Sequence, residues 1–164
     1  MHLPDAEQLT LQLALAVKLR LRANTVLVGI HTGGAWVAEK VQQQLGGTLP
    51  LGTLNISFYR DDFSRIGLHP QLAPSEIPFE VEDAHIILID DVLHTGRTIR
   101  AAMNELYDYG RPALIELAVL IDRGGRELPI AADIVGARLD LSENQNIQLI
   151  LDPNNNLTLS LHER

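Results

Sequence analysis

The sequence predicts an α/β fold: a mainly parallel, twisted sheet with helices on both faces and a β-hairpin at its carboxyl end. Three observations predict it. Strand-like runs alternate with helical patterns through the first two-thirds of the chain, the pattern of a parallel sheet with crossover helices. The run Ile86-Ile-Leu-Ile89 is aliphatic and β-branched without polar alternation, as a strand buried on both faces requires. Ile147 to Leu151 and Leu157 to Leu161 flank Asp152-Pro-Asn-Asn-Asn156, a turn-forming cluster between two short apolar runs. Length and composition agree with one domain over residues 1–164, because this many residues can bury a substantial core. A hydrophobic fraction of 46% with only 4% aromatic residues means that Leu, Ile, Val and Ala build that core. No internal repeat or low-complexity linker marks a second domain.

The elements follow in order. Asp5 with Gln8 forms an approximate capping box for a first helix, whose apolar face carries Leu9, Leu13 and Val17. Lys18-Leu-Arg-Leu-Arg22 closes it; basic residues there favour the negative helix end or meet an anionic partner. Thr25 to Ile30 reads as a buried strand, leading through His31-Thr-Gly-Gly34 into a helix from Ala35 to about Leu45, stopped by Gly46-Gly47. Leu54 to Tyr59 alternates like a half-buried strand. The irregular segment Phe63 to Pro78, with Gly67, Pro70 and Pro74, is long enough to be a lid over a site or a solvated surface loop. The central strand from Ile86 precedes a helix over Thr98 to Tyr109, with Ile99, Ala102, Met103 and Leu106 inward and Gly110 and Pro112 as stops. Leu114 to Leu120 and the short Asp133 to Gly136 are further strands.

Composition narrows the chemistry. A net charge of −8 repels polyanions and argues against general nucleic-acid or anionic-membrane affinity. The absence of cysteine removes disulfides, thiolate metal ligands and thiol nucleophiles. Pro4, Asp5 and Glu7 interrupt the start, which is not a signal peptide, and no apolar run is long enough to span a bilayer. The expected location is the cytoplasm.

Function is concentrated after the central strand. Asp90 and Asp91 stand where it should end, followed by His94-Thr-Gly-Arg-Thr98 at the start of a helix. Helix N-termini present unpaired N–H groups and favour anions. Thr95 and Thr98 add hydroxyls, and Arg97 can hold a phosphate bidentately. The two carboxylates suit vicinal hydroxyls or Mg²⁺. A ligand with a phosphate beside a ribose-like diol or a metal-bound group fits both halves. No Walker-type Gly-x-x-x-x-Gly-Lys-Ser/Thr occurs. Thr32-Gly33-Gly34 forms a second strand–loop–helix anion site, or simply a tight turn. Both loops, Arg60 and the turn at Asp122 belong to the carboxyl ends of strands, where open α/β sheets bind ligands.

The hydrophobic strand, acidic pair and Thr95-Gly-Arg-Thr98 loop resemble the phosphoribosyl pyrophosphate (PRPP) signature of the type I phosphoribosyltransferases. Tyr59-Arg-Asp-Asp62, Ile77-Pro-Phe79, Gly96 to Met103, Gly110-Arg-Pro112 and Leu117 to Ile130 further resemble the PyrR family, over roughly Val26 to Gly136. The resemblance implies uracil phosphoribosyltransferase activity: uracil and PRPP give UMP and pyrophosphate, with Mg²⁺ accompanying PRPP. It also implies RNA-binding control of pyrimidine genes and homodimers or homotetramers. Its site residues map here to Thr32, Gly33 and Gly34 with Arg60 for pyrophosphate, Asp90 and Asp91 for ribose hydroxyls and metal, and Thr95, Gly96, Arg97 and Thr98 for the 5′-phosphate. The base maps to Ile121, Asp122 and Arg126. Asp90, Asp91, Arg60 and His94 are the catalytic candidates; His94 either accepts a proton from the base or packs against it.

The chain departs from the family pattern at informative places. His31-Thr-Gly-Gly34 stands for Lys-Thr-Arg-Gly, His94 for Tyr, and Gly125 for His. The Lys-rich segment after the short strand is replaced by Gly136-Ala-Arg138 with Asp140 and Glu143. Two other functions stay open: a regulator that senses PRPP and nucleotides without useful catalysis, and a phosphoribosyltransferase for another base.

Overall fold

The structure, a computed structural model, describes residues 1–56 and 74–164. The order is α1 (Ala6–Lys18), β1 (Thr25–Ile30), α2 (Gly33–Gln44), β2 (Leu51–Leu54), β3 (His85–Leu93), α3 (Arg97–Tyr109), β4 (Leu114–Asp122), β5 (Ile134–Arg138), β6 (Gln145–Leu151) and β7 (Leu157–Glu163). Five strands form a sheet in the order β2-β1-β3-β4-β5, and every pairing in it is parallel. The strand with no polar alternation, β3, lies at its centre. Its neighbours are β1, with Leu27 opposite Ile87, and β4, with Leu88 opposite Leu117.

Alternation along β3 feeds two cores, because successive side chains point to opposite faces. Ile87 and Ile89 pack with Leu9, Leu13 and Val17 of α1 and Val37 and Val41 of α2. Ile86 and Leu88 pack with Ile99, Ala102 and Leu106 of α3. Helices therefore cover both faces, as expected. The antiparallel hairpin β6–β7 joins the first of these cores through Ile147, Leu149 and Leu157. Glu7 secures it by accepting from the Leu157 N–H at 2.6 Å while pairing with Lys40 of α2 at 3.1 Å.

The cap of α1 is as predicted: Asp5 accepts from the Gln8 N–H at 3.0 Å. Other boundaries differ. The predicted strand Leu54–Tyr59 begins earlier, as β2 over Leu51–Leu54, and residues 57–59 lie outside the described residues. Gly52 obscured it, since glycine weakens a strand signal. Glycine fits closely here: a Cβ would meet the Glu76 carbonyl, Ile77 and Phe79, each at 3.0 Å. Helix α2 starts at Gly33 rather than Ala35, and β3 continues through the acidic pair to Leu93. Most of the expected lid lies outside the described residues. Its end, from Pro74, is tied down: Glu76 and Thr53 exchange backbone hydrogen bonds at 2.8 Å, and Ser75 donates to Glu105 at 2.6 Å.

The amino end of the sheet holds a buried polar chain. His85 is fully buried, with Nδ1 2.7 Å from the Thr25 hydroxyl and Nε2 2.7 Å from Glu116. The other Glu116 oxygen accepts from Arg20. Burial pushes the Glu116 carboxyl up, but hydrogen bonds from His85 and Arg20 and the charge of Arg20 outweigh it, leaving the pKa below its ordinary value. Arg20 of the basic run after α1 thus serves an intramolecular ion pair.

Candidate active site

Three connections meet at the carboxyl edge of the sheet. The first leaves β1 through His31 and Thr32, joined by a cis peptide bond, and enters α2. The second leaves β3 and enters α3 at the left-handed Gly96, with φ 94°. The third leaves β4 through Asp122 to Ile130. Since β1 and β3 are neighbours, the first two loops lie side by side.

Close approach explains the glycine pair. A Cβ on Gly33 would overlap the Asp91 carboxylate. A Cβ on Gly34 would sit 2.6 Å from the Ile89 carbonyl and 2.9 Å from the Asp90 Cα. The start of α2 therefore rests directly on the acidic end of β3, and only glycine permits this contact. Asp90 is buried, at 5% exposed, and Asp91 is half-buried. One oxygen of Asp90 accepts from the Asp91 N–H at 2.9 Å, and one of Asp91 from the Val92 N–H at 2.8 Å. These bonds fix the carboxylates at the rim. A set of two carboxylates fits a Mg²⁺ ion that keeps substrate oxygens and waters as its other ligands. No group of three or more His, Cys, Asp or Glu suited to holding a metal occurs among the described residues.

The loop from His94 to Thr98 is stitched to the turn after β4. The N–H groups of Glu127 and Leu128 donate to the Thr95 carbonyl at 2.9 and 3.1 Å, and Arg126 donates to the His94 carbonyl at 2.9 Å. Arg126 also donates to the Ile130 carbonyl and to Asp122, both at 2.7 Å. Asp122 takes a further donor from Arg138 at 2.8 Å and the Gly124 N–H at 3.0 Å. Burial raises its pKa, but these partners, Arg126 first, bring it below the ordinary value. The side chains of Asp122 and Arg126 thus hold the turn in shape, and Ile121 is wholly buried. Arg97 pairs with Glu127 at 2.7 Å on an exposed surface.

His94 lies over the turn, its Nδ1 2.9 Å from the Gly124 carbonyl. A carbonyl only accepts, so Nδ1 carries a proton and the neutral ring keeps Nε2 as an acceptor. Beneath it, Gly125 has φ 77°, and a Cβ there would sit 2.6 Å from the His94 Cε1.

A cavity of about 520 Å³ brings much of this together: Thr32, Gly33, Asp91, His94 and Arg123 face Asn146 to Leu149 of the hairpin. Gly34, Asp90 and Thr95 to Thr98 border it in sequence but do not line it. Arg60 lies outside the described residues. Sequence reasoning missed Arg123 and the hairpin wall. Arg123 donates to the Gln145 and Ser142 carbonyls at 2.9 and 3.2 Å, fastening the hairpin to the turn. Its cue was adjacency to Asp122; that β6 faces the site is a tertiary fact with no local signal.

A parallel sheet whose central strand ends in paired carboxylates, then a Thr-Gly-Arg-Thr loop and a helix N-terminus, is the arrangement of a phosphoribosyltransferase. The family model for the phosphoribosyl transferase domain matches residues 13–152. A protein named Bifunctional protein PyrR from Nitrosococcus oceani is 60% identical over 130 residues, covering 78% of this chain and 73% of its own length. One of the same name from Pseudomonas putida is 53% identical over 153 residues, covering 91% of this chain and 89% of its own. A hypoxanthine-guanine phosphoribosyltransferase from Bacillus anthracis shares the fold at a TM-score of 0.67, with 17% identity, covering 85% of this chain and 84% of that one. The chain belongs to the phosphoribosyl transferase family, in its PyrR branch.

Proposed function

We propose that this protein transfers the phosphoribosyl group of PRPP to uracil, giving UMP and pyrophosphate, and that it also acts as a pyrimidine-responsive regulator. The observation that carries the reading is the seating of Gly33 and Gly34 on Asp91 and Asp90. This close packing of the Thr32–Gly34 loop on the acidic pair supports a reading in which the loop takes pyrophosphate and the carboxylates take the ribose, as C1′–O cleavage needs. In this reading residues 1–164 act as one transferase domain in the cytoplasm. Among the described residues no helix is long and apolar enough to cross a membrane.

The roles follow from chemistry. Thr95, Gly96, Arg97 and Thr98 hold the 5′-phosphate at the start of α3. Asp90 and Asp91 take the ribose hydroxyls and, with PRPP bound, its Mg²⁺, which neutralises charge on the departing pyrophosphate. Thr32, Gly33 and Gly34 bind that pyrophosphate, with Arg60 assigned to it as well. Uracil lies against the backbone of the turn from Ile121, which Asp122 and Arg126 shape. As the C1′–O bond breaks, N1 of uracil bonds to C1′ and loses its proton, for which His94 Nε2 is the acceptor. Holding base and sugar in line supplies most of the acceleration.

The name shared by the close relatives supports the second, regulatory role. With a net charge of −8, the protein should keep PRPP chemistry yet bind RNA weakly at physiological salt. Oligomers of two or four chains would combine small basic patches. A panel of free bases offered with PRPP and Mg²⁺ tests the catalytic reading: UMP should form from uracil, and preferential turnover of a purine would replace it. Gel shifts against a pyrimidine leader transcript with UMP test the second role, and nanomolar binding would overrule the charge argument.

A further inference from the structure

The outward face of α1 is the one long apolar stripe on a described helix that no other described element covers. Leu11 is 43% exposed, Leu15 57% and Leu19, at the helix end, 88%. They fall at i, i+4 and i+8, so they form one ridge rather than scattered residues. Leu9, Leu13 and Val17 on the opposite face already supply the helix's share of the core. Monomeric proteins rarely leave contiguous apolar patches of more than a few hundred Å² unless a partner uses them.

The flanking charges say what the partner is. Read along the exposed face, the helix runs Asp5, Gln8, Leu11 with Gln12, Leu15, Lys18 with Leu19, and then Arg22 just beyond its end. One end is acidic, the middle apolar, the other end basic. Asp5, Lys18 and Arg22 form no ion pair among the described residues. Such a surface is complementary to itself turned end for end. With Leu15 on a two-fold axis, Leu11 of each copy meets Leu19 of the other. The acidic amino end of each helix then faces the end of the other, from which the basic Lys18 to Arg22 segment leaves. Antiparallel packing also sets opposite helix dipoles against each other. Parallel packing would bring Lys18 and Arg22 of both copies together, which like charges oppose.

We propose that the protein self-associates through α1, two copies packing antiparallel about a two-fold axis at Leu15. This inference rests on the oligomeric reading above and names the surface that carries it. The interface is isologous, with the leucines as its desolvated centre and Gln8, Gln12, Asp5, Lys18 and Arg22 as its polar rim.

The chain has no cysteine, so the register can be tested by cross-linking the intact protein. Leu15→Cys should oxidise to a disulfide-linked dimer, because a residue on the axis meets its own copy. Leu19→Cys alone should not, as its two copies lie about 12 Å apart along the helices. A mixture of Leu11→Cys and Leu19→Cys should cross-link. Leu15→Arg should raise the dimer dissociation constant roughly 100-fold or more in sedimentation, with circular dichroism and UMP formation unchanged. Oligomers that persist in Leu15→Arg without cross-linking at Leu15→Cys would overturn the interface and leave the oligomeric reading standing. A wild-type monomer at all concentrations would overturn both while leaving the transferase reading untouched. Binding of the wild type, but not of Leu15→Arg, to anionic vesicles without self-association would assign the stripe to lipid and overturn the proposal.

Discussion

The two ends of the parallel sheet both hold charged groups away from water, and they treat them oppositely. At the amino end, Thr25, His85, Glu116 and Arg20 are joined in one hydrogen-bonded chain. At the carboxyl end, Asp90 and Asp91 each commit one oxygen to the next backbone N–H, and Asp91 faces a cavity of about 520 Å³. The same strand, β3, supplies His85 to one end and both aspartates to the other. Position, more than burial, separates the two sets: His85 and Glu116 lie within the sheet's amino end, whereas Asp91 lines a cavity. A buried charge compensated by neighbours contributes to stability, whereas one held in place for a ligand contributes when the ligand arrives.

The largest effect should come from Asp90→Asn with Asp91→Asn. The Asn oxygens can still accept the Asp91 and Val92 N–H bonds, and urea unfolding checks that the variant is folded. Uracil phosphoribosylation should drop roughly 1,000-fold or more, about 4 kcal/mol of transition-state stabilisation. A loss under tenfold would detach the acidic pair from the chemistry and erase the contrast between the ends.

Glu116→Ala makes the converse break. It leaves His85 and Arg20 without their shared partner and should cost about 3 kcal/mol in urea unfolding, with kcat/KM of the folded protein unchanged. The same residue sets a pH dependence. Because the folded-state pKa of Glu116 lies below its ordinary value, its stabilisation is present above the ordinary carboxylate range and is lost as pH falls toward the lowered value. Asp122 at the other end acts in the same direction. Unfolding midpoints measured from neutral pH downward should therefore fall in acid, less steeply in Glu116→Ala. An unchanged acid slope in that variant would mean the amino-end network is not what acid dissolves.

Arg97 sharpens the contrast, because its ion pair with Glu127 is exposed on both sides and worth little to the fold. Arg97→Ala should weaken PRPP binding by about 2 kcal/mol, roughly 30-fold, at no cost in stability. PRPP titrations matching wild type would remove the phosphate from this loop. The smallest effect belongs to Glu127→Gln. Freed of a competing carboxylate, Arg97 should bind PRPP tighter by about 0.5 kcal/mol, roughly twofold. Weaker binding would show that Glu127 positions the guanidinium instead of competing for it.

The ends also differed in how far the sequence revealed them. Ile86 to Thr98 carries strand, acidic pair, loop and helix start within one contiguous stretch, so the chemistry of the carboxyl end could be read locally. Thr25, His85, Glu116 and Arg20 are scattered across the chain. Only the register of β1, β3 and β4, with the turn after α1, brings the four together. Strand β2 was displaced for a related reason. The alternation drew attention to Leu54 onward, while pairing with β1 selects Leu51–Leu54, whose glycine lies closely under residues folding back over it. Arg126 looked like a ligand-facing cation, but its donors go to Ile130, His94 and Asp122. A cation's target cannot be read from its neighbours in sequence.

The contact between His94 and Gly125 ties together the mutations that the two positions can accept. A side chain at position 125 would strike the imidazole, and its backbone would carry a left-handed φ. With histidine in place, position 125 is closed to larger residues until the ring moves. A larger residue at position 125 therefore carries two demands at once: a left-handed backbone and a displaced imidazole. The two sites should be inherited as a linked pair, with each residue's fitness effect set by the other.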